Sequence, residues 1–327
     1  MSKPVGPINS VIENLRRLVP DREEKIAICC SGGADSMALL FCAQKSGYNL
    51  LVIHCMHDMR PLTESQKDRD LVRDYCKSHD LPFHEVNVFL KNKIQNPTEE
   101  AYRDCRYDTI KRIASLYRVS YVATGHHADD QIETMIMKLC RGSGLRGLSG
   151  ISDRLVDDGL IYIRPMLDIS KKDTYDICSF NKIPYNEDST NKDVDYTRNA
   201  IRQKVLPVLK GLFPNCAQKS SDAARILSNA QDLAKRSCLD LAKYETVRDH
   251  SVSIPTAAMV LSNDITIYEW LRDAFSKVAS KSYDSINKEN VDKVVSTIRT
   301  KGSKKFDWPC KVKVVVNRNE VKLECKE

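Results

Sequence analysis

The sequence predicts an α/β protein: a parallel sheet covered on both faces by helices, then a smaller, mainly helical C-terminal domain ending in a β-hairpin. Three observations lead there. Short apolar runs alternate with helical patterns through the first two thirds of the chain, the rhythm of parallel strands joined by crossover helices. After Pro214 the alternation stops and long helical stretches take over. The length of 327 residues, 42% hydrophobic and 29% charged, suits two globular domains with cores of their own.

Ile26–Cys30, Leu50–Cys55, Phe83–Val88 and Tyr121–Gly125 are runs rich in β-branched or other apolar residues, as strands are. Asp35–Lys45, Thr63–Ser78 and Thr98–Tyr117 lie between them with helical patterns, each long enough for a crossover. Asp129–Cys140 is a further helix. Residues 216–246 carry Ala224, Leu227, Ala230, Leu233 and Ala234 at helical spacing, and helices are expected at Ile265–Val278 and Asn290–Arg299. Lys311–Val316 and Val321–Cys325 flank Asn317-Arg318-Asn319 as a hairpin. A boundary near 212–218 divides the chain into domains 1–215 and 216–327.

Composition excludes several classes. The longest apolar run, Met37 to Ala43, has seven residues, against roughly 18 for a membrane span. The first ten residues have no apolar stretch suited to a signal peptide, so a cytoplasmic protein without membrane contact is expected. Twelve scattered cysteines without a C-x-x-C pair argue against a zinc ribbon, a redox motif or a disulfide scaffold, and fit a reducing compartment. The net charge is +7, and residues 216–327 hold 20 basic against 15 acidic residues. Most of that excess is Arg299, Lys301, Lys304, Lys305, Lys311, Lys313, Arg318 and Lys322. Such a run is either a solvated face or a footprint for nucleic acid.

The sharpest motif is Ser31-Gly32-Gly33-Ala34-Asp35-Ser36, between a strand and a helix. Its glycines let the backbone approach an anion at the helix start, and Ser31 and Ser36 add hydroxyl donors. Asp35 fits beside phosphates if it holds a magnesium ion or orients the reacting group. The P-loop string G-x-x-x-x-G-K-[ST] is absent. Gly142–Gly147 satisfies G-x-G-x-x-G, but it follows a helix, so a dinucleotide site is rejected. In Thr124–Thr134, His126 and Asp130 stand four apart and Asp130 and Glu133 three apart, positions that share one face if the whole stretch is helical. Acids and histidines so close, at a strand's carboxyl end, read as a site more readily than as a capped turn.

The S-G-G-x-D-S string resembles the pyrophosphate loop of PP-loop ATP pyrophosphatases, whose Rossmann-like sheet the first domain is expected to share. The stretch Thr124–Ile151 is similar to the hallmark of tRNA(Ile)-lysidine synthetases, short form with one small C-terminal domain. Further strings agree in order: His57-Asp58-Met59-Arg60-Pro61, Glu99 to Tyr107, Ile163-Arg164-Pro165-Met166-Leu167, Asp188-Ser189-Thr190-Asn191 and Tyr196 to Arg202. The family's arginine after the R-P-L-L string is missing, and Lys171 and Lys172 stand nearby.

That resemblance implies an ATP-dependent ligase joining free L-lysine to the wobble cytidine of a tRNA(Ile) with a CAU anticodon. The cytidine is first adenylated; pyrophosphate and then AMP leave. By the same resemblance Ser31, Gly32, Gly33, Ala34, Asp35 and Ser36 bind ATP, with Asp35 toward Mg2+, and Asp130 and Glu133 bind lysine. His126 or a carboxylate is the candidate base. His57, Arg60, Arg103, Arg106, Arg198 and Arg202 are candidates for phosphate or tRNA contacts, and residues 216–327 for tRNA binding. A homodimer is compatible with the sequence. Three alternatives stay open: a tRNA thiolase, which needs a reactive cysteine pair; a small-molecule amide-forming synthetase; and a non-catalytic RNA-binding relative.

Overall fold

The computed structural model of the chain describes residues 5–59, 61–91, 94–95, 97–187, 197–279 and 286–325. Arg60, the string 188–191 and Tyr196 lie outside the described residues. Two compact units emerge, one of Met1–Arg141 with Ser149–Ala224, the other of Gly142–Leu148 with Arg225–Glu327.

In the first unit α1 (Val5–Leu18) precedes β1 (Lys25–Cys29), α2 (Ala34–Ser46), β2 (Asn49–His57), α3 (Leu62–Ser78), β3 (Phe83–Val88), α4 (Glu99–Leu116), β4 (Tyr121–Ala123) and α5 (Ala128–Cys140). The short α6 (Leu145–Leu148) falls to the second unit. Then come β5 (Arg154–Asp157), β6 (Leu160–Ile163), α7 (Lys171–Phe180), α8 (Thr197–Ala200), a π-helical turn (Ile201–Val205), α9 (Leu206–Leu212) and the start of α10 (Cys216–Ala242). The six strands run in the order β3-β2-β1-β4-β6-β5. All neighbours are parallel except β5 with β6.

Alternation along the strands explains the two-sided cover. Ile26 and Ile28 of β1 and Leu50 and Val52 of β2 join the core formed with α1, α2 and α7. Ala27, Leu51 and Ile53 point the other way, into a core with Ile110, Ile113 and Ala114 of α4. Burial on both faces is why these strands read as unbroken apolar runs. Strand order reverses between β1 and β4, and in such sheets ligands bind at the carboxyl ends beside that reversal.

The expected elements recur within a few residues of their stated bounds. Additional to them in the first unit are α1, β5, β6, α7, α8 and α9. The strands among these have four residues each, too short to show a period. The division at Ala224 lies inside α10, beyond the expected 212–218. The helix's first turns belong to the first unit: Ala217 is buried with Ile132, Ile201 and Leu206, and Ser221 donates to the Leu167 carbonyl.

The second unit holds a five-stranded antiparallel sheet, β7-β8-β11-β10-β9. Its strands are β7 (Thr246–Arg248), β8 (Ser251–Pro255), β9 (Lys304–Trp308), β10 (Val312–Val316) and β11 (Glu320–Cys325). The expected hairpin is β10–β11, closed around Asn317 and extended on both sides by strands too short or too charged to stand out. Val312, Val314, Val316, Val321 and Leu323 face α12 (Asp264–Ala279) and α13 (Lys288–Arg299), with Met259 of α11 (Thr256–Leu261) in the same core.

Leu39 of α2 is fully buried in the larger core of the first unit. Leu39→Ala should cost about 2–5 kcal/mol, from lost transfer energy plus a residual cavity. The urea midpoint of the first unit's transition measures it, and a shift worth less than about 1 kcal/mol would show a core that collapses freely around the deletion.

Candidate functional site

The loop after β1 turns sharply at Gly32, whose φ of +90° lies in the region that favours glycine. A Cβ there would come within 3.2 Å of Asp68 of α3. Asn186 braces the same point, donating its backbone N–H to Gly32 O (2.9 Å) and its side-chain amide to Asp68 (2.8 Å). Ser36 knits the loop internally: it accepts from Ser31 N–H (3.1 Å) and donates to Gly33 O (3.0 Å). Gly33 is the N-cap of α2 without a side-chain cap, so the first-turn N–H groups carry no side-chain acceptor from the cap. Gly125, after β4, allows the loop to sit where it does: a Cβ on it would lie 3.1–3.2 Å from the backbone of Asp35 and Ser36.

Asp35 is held by residues from two other helical segments. Its carboxylate accepts from Lys171 Nζ (2.7 Å) and Thr174 Oγ1 (2.7 Å) of α7, with His127 Nε2 at 3.5 Å. Burial works against its charge, but His127 and Lys171 outweigh it and hold the carboxyl far below the usual range. Lys171, noted in the sequence only as the stand-in for a missing arginine, is therefore part of the loop's surroundings.

Three acids follow at the head of α5. Asp129 accepts from the Lys171 backbone N–H (3.0 Å) and pairs with Lys210. Asp130 accepts from Arg198 Nη2 (3.0 Å), Arg202 Nη2 (3.3 Å) and the His127 N–H (3.0 Å). Glu133, with a wholly inaccessible side chain, receives Arg198 Nε at 2.8 Å and Arg202 Nε at 2.7 Å. Arg198 and Arg202, expected to meet phosphates, are thus folded onto the two acids expected to bind lysine.

His126 departs from the helical-face expectation. The helix begins at Ala128, because Asp130 bends back to cap the extended His127, and His126 is left outside it, bonded to Thr124 Oγ1 (2.9 Å). Burial is the main cause that lowers the His126 pKa, to about 4, and Arg164 and Arg198 assist; it is uncharged at neutral pH. For His127 burial opposes charge, but Asp130 and Asp35 outweigh it and raise its pKa. His127, Lys171, Thr174, Asp129 and Lys210 are missing from the sequence-derived candidates. Only His127 and Asp129 carried a local signal, as the neighbours of His126 and Asp130 in the same cluster.

Ser31, Asp35, Ser36, His126, Asp130 and Arg202 line one cavity of about 470 Å³ at the carboxyl ends of β1, β2 and β4. His57 and Arg106 reach the same cavity and, with Arg103, border a smaller one of about 90 Å³. A volume in the range of small-ligand sites, a glycine turn and a helix start at one end suit a nucleoside triphosphate. The described residues include no group of three or more histidines, cysteines or acids able to cage a metal. Magnesium needs no such cage when phosphates supply most of its oxygens, so a single acid such as Asp35 suffices.

Residues 7–209 match the family described as PP-loop domain. The chain is 34% identical over 203 residues to the tRNA(Ile)-lysidine synthase of Porphyromonas gingivalis strain W83, covering 61% of this chain and 44% of that protein. With the Bacillus subtilis strain 168 protein of the same name it shares 37% over 213 residues, 62% of this chain and 44% of that one. The Prochlorococcus marinus (strain MED4) protein of that name is 29% identical over 326 residues, 94% and 92% of the two chains. The chain thus spans less than half the length of the first two. Among solved structures, the U34-tRNA thiolase NcsA of Methanococcus maripaludis superposes with a TM-score of 0.57 at 15% identity, over 68% of this chain and 80% of that one, a likeness of fold.

Two outcomes follow from the geometry. Gly125→Ala should push the Asp35–Ser36 backbone out of place and weaken ATP binding by at least about tenfold, while the circular dichroism spectrum stays native. Calorimetric titration with ATP measures it, and unaltered affinity would show that the loop's position is irrelevant. The second concerns pH. The His126 pKa of about 4 in the folded chain lies below the unfolded value near 6.5, so the folded chain binds fewer protons between them. This contribution to stability is complete above about pH 6.5 and is lost as pH falls toward 4. The raised His127 acts oppositely, contributing fully below its unfolded value and fading as pH rises through its folded one. His126→Asn should therefore flatten the fall in urea midpoint between pH 6.5 and 4; an undiminished fall would assign it to other groups.

Proposed function

From the premise that the chain belongs to the PP-loop domain family, we propose that it is a tRNA(Ile)-lysidine synthetase. In this reading it ligates free L-lysine to the wobble cytidine of a tRNA(Ile) bearing a CAU anticodon. The observation that carries it is a buried pair of acids, Asp130 and Glu133, beside a nucleotide-sized cavity that starts at the Ser31–Ser36 loop. Acids desolvated in this way demand cations; Arg198 and Arg202 meet that demand in this structure, and an ammonium substrate is a cation able to take a guanidinium's place.

ATP would lie with its β and γ phosphates on Ser31, Gly32, Gly33 and Ser36, and Asp35 would hold a magnesium ion that would counter the charge of the leaving pyrophosphate. The cytosine carbonyl oxygen attacks the α-phosphate and pyrophosphate leaves. The ε-amine of lysine then displaces AMP from the ring carbon and loses a proton. Uncharged His126, at the cavity wall, is available to take that proton; a base of such low pKa captures it only fleetingly before passing it to water. His57, Arg103 and Arg106 border the far side of the cavity, where an anticodon-loop phosphate can meet them.

The thiolase alternative meets an obstacle in the thiols themselves. Burial pushes Cys30 and Cys55 up to about 11 and Cys29 higher still, so the cavity's cysteines are not thiolates at neutral pH. In the second unit, several members of the basic run already have internal work. Arg299 binds Asp264 (2.7 Å) and the carbonyls of Val260 and Ser262, and Lys322 binds Glu324 (2.7 Å). Lys313 sits across from Asp307 and Glu324 in register. A tRNA grip there rests on Lys301, Lys304, Lys305, Lys311 and Arg318, with Lys313 contributing what its two facing acids leave over.

Incubation with ATP, labelled lysine and total tRNA tests the reading; label must enter tRNA, with AMP and pyrophosphate formed in step. Asp35→Ala should fold and abolish both products, and near-normal turnover would remove Asp35 from the chemistry. Glu133→Gln should raise the lysine requirement on the order of ten- to a hundredfold, the worth of a charge-assisted hydrogen bond, with little change for ATP. A shift confined to ATP would move the acids into the nucleotide site. Neutralising Lys304, Lys305, Lys311 and Lys313 together should flatten the salt dependence of tRNA binding by roughly 0.7–0.9 per lost contact. An unchanged slope in the folded variant would make the run a solvated face.

A further inference from the structure

Arg202 belongs to two places at once. It lines the cavity beside Ser31, Asp35 and Ser36. It also lies on Glu133, with Nε 2.7 Å from Oε1 and Nη2 3.0 Å from Oε2, and reaches Asp130 Oδ1 at 3.3 Å. Arg198 covers the same two acids but is not part of the cavity wall.

Two carboxylates holding two guanidinium groups are electrically satisfied. A third cation entering beside them meets like charge in a poorly solvated site, so an ammonium binds well only if one arginine leaves. Arg202 is the one with somewhere to go. A triphosphate on the loop presents bidentate oxygens to a guanidinium on the cavity side, and phosphate is a partner at least as strong as carboxylate. Arg202 lies in the π-helical turn Ile201–Val205, between α8 and α9. Such turns break the regular hydrogen-bond ladder and recur where segments rearrange at functional sites.

We propose that Arg202 is a positioning residue coupling the two subsites: bound nucleotide draws its guanidinium from Glu133 to the phosphates, and the acids it vacates then accept the lysine ammonium. The nucleotide therefore tightens binding of the amine. The inference rests on the lysine-ligating reading above and adds a coupling between its two subsites. Coupling of this kind is reciprocal, so lysine must tighten nucleotide binding by the same factor.

Equilibrium dialysis of labelled lysine against the full chain tests it, with and without the magnesium complex of α,β-methylene-ATP, which cannot be cleaved at the α–β bond. The wild-type chain should bind lysine at least about tenfold tighter with the analogue. Arg202→Gln should bind lysine without nucleotide to within about twofold of that tightened value, with the analogue adding little. Arg202→Lys keeps the charge without the fork and should show reduced coupling, which keeps the idea testable if the glutamine variant does not fold. A residue of purely structural importance would weaken both affinities and leave their ratio unchanged. Equal lysine affinity with and without analogue in the wild type, or full coupling in Arg202→Gln, overturns the switch. Lysine incorporation into tRNA without coupling overturns the switch alone; no incorporation by the wild type overturns the parent reading, and the switch with it.

Discussion

Three buried acids and the half-buried Asp35 are gathered at the carboxyl ends of one sheet, and much of the first unit is arranged to neutralise them. Asp35, Asp129, Asp130 and Glu133 each meet a cation: Lys171, Lys210, and the pair Arg198 and Arg202. A lone carboxylate in such surroundings costs several kcal/mol or takes up a proton, so each cation's helix must reach the site. That is why α7 docks against the nucleotide loop and why the Thr197–Leu212 segment lies along α5. The partners come from 65 to 136 positions away in sequence.

The sheet topology does the rest of the positioning. With β1 and β4 adjacent and their connections leaving in opposite directions, their ends form an open crevice. Gly32 and Gly125 let chain segments approach so closely that a Cβ at either would have to push its neighbours back by a few tenths of an ångström. The cavity is therefore polar at the loop and carboxylate end, and bounded elsewhere by Ile53, Ile110 and Tyr162 from the sheet and α4.

Charge in the second unit follows another logic. Lys305, Lys313 and Lys322 lie on the face of the sheet away from the core, and Lys313 sits opposite Asp307 and Glu324 in register. Cross-strand pairing reduces the free positive charge below what a count along the chain implies. Lysines on the edge strand β9 also discourage pairing with other chains, so part of the basic run serves folding.

Local chemistry was enough to read the loop, the strands before and after it, and the acids of α5. Glycine turns, apolar runs and clustered carboxylates announce themselves within ten residues, because backbone freedom, burial and charge act over that distance. The hairpin around Asn317 was legible for the same reason. The short strands β5, β7 and β9 were not, since three to five residues set no period and their stability comes from neighbours remote in sequence. His126 was placed on a helix by spacing alone, whereas Asp130 starts the helix two residues later by capping His127. Above all, nothing in the order of residues says that Lys171 answers Asp35, or that Arg198 and Arg202 answer Glu133. Those pairings are decided by which helices the sheet brings together, and by the rule that a buried charge must find its opposite.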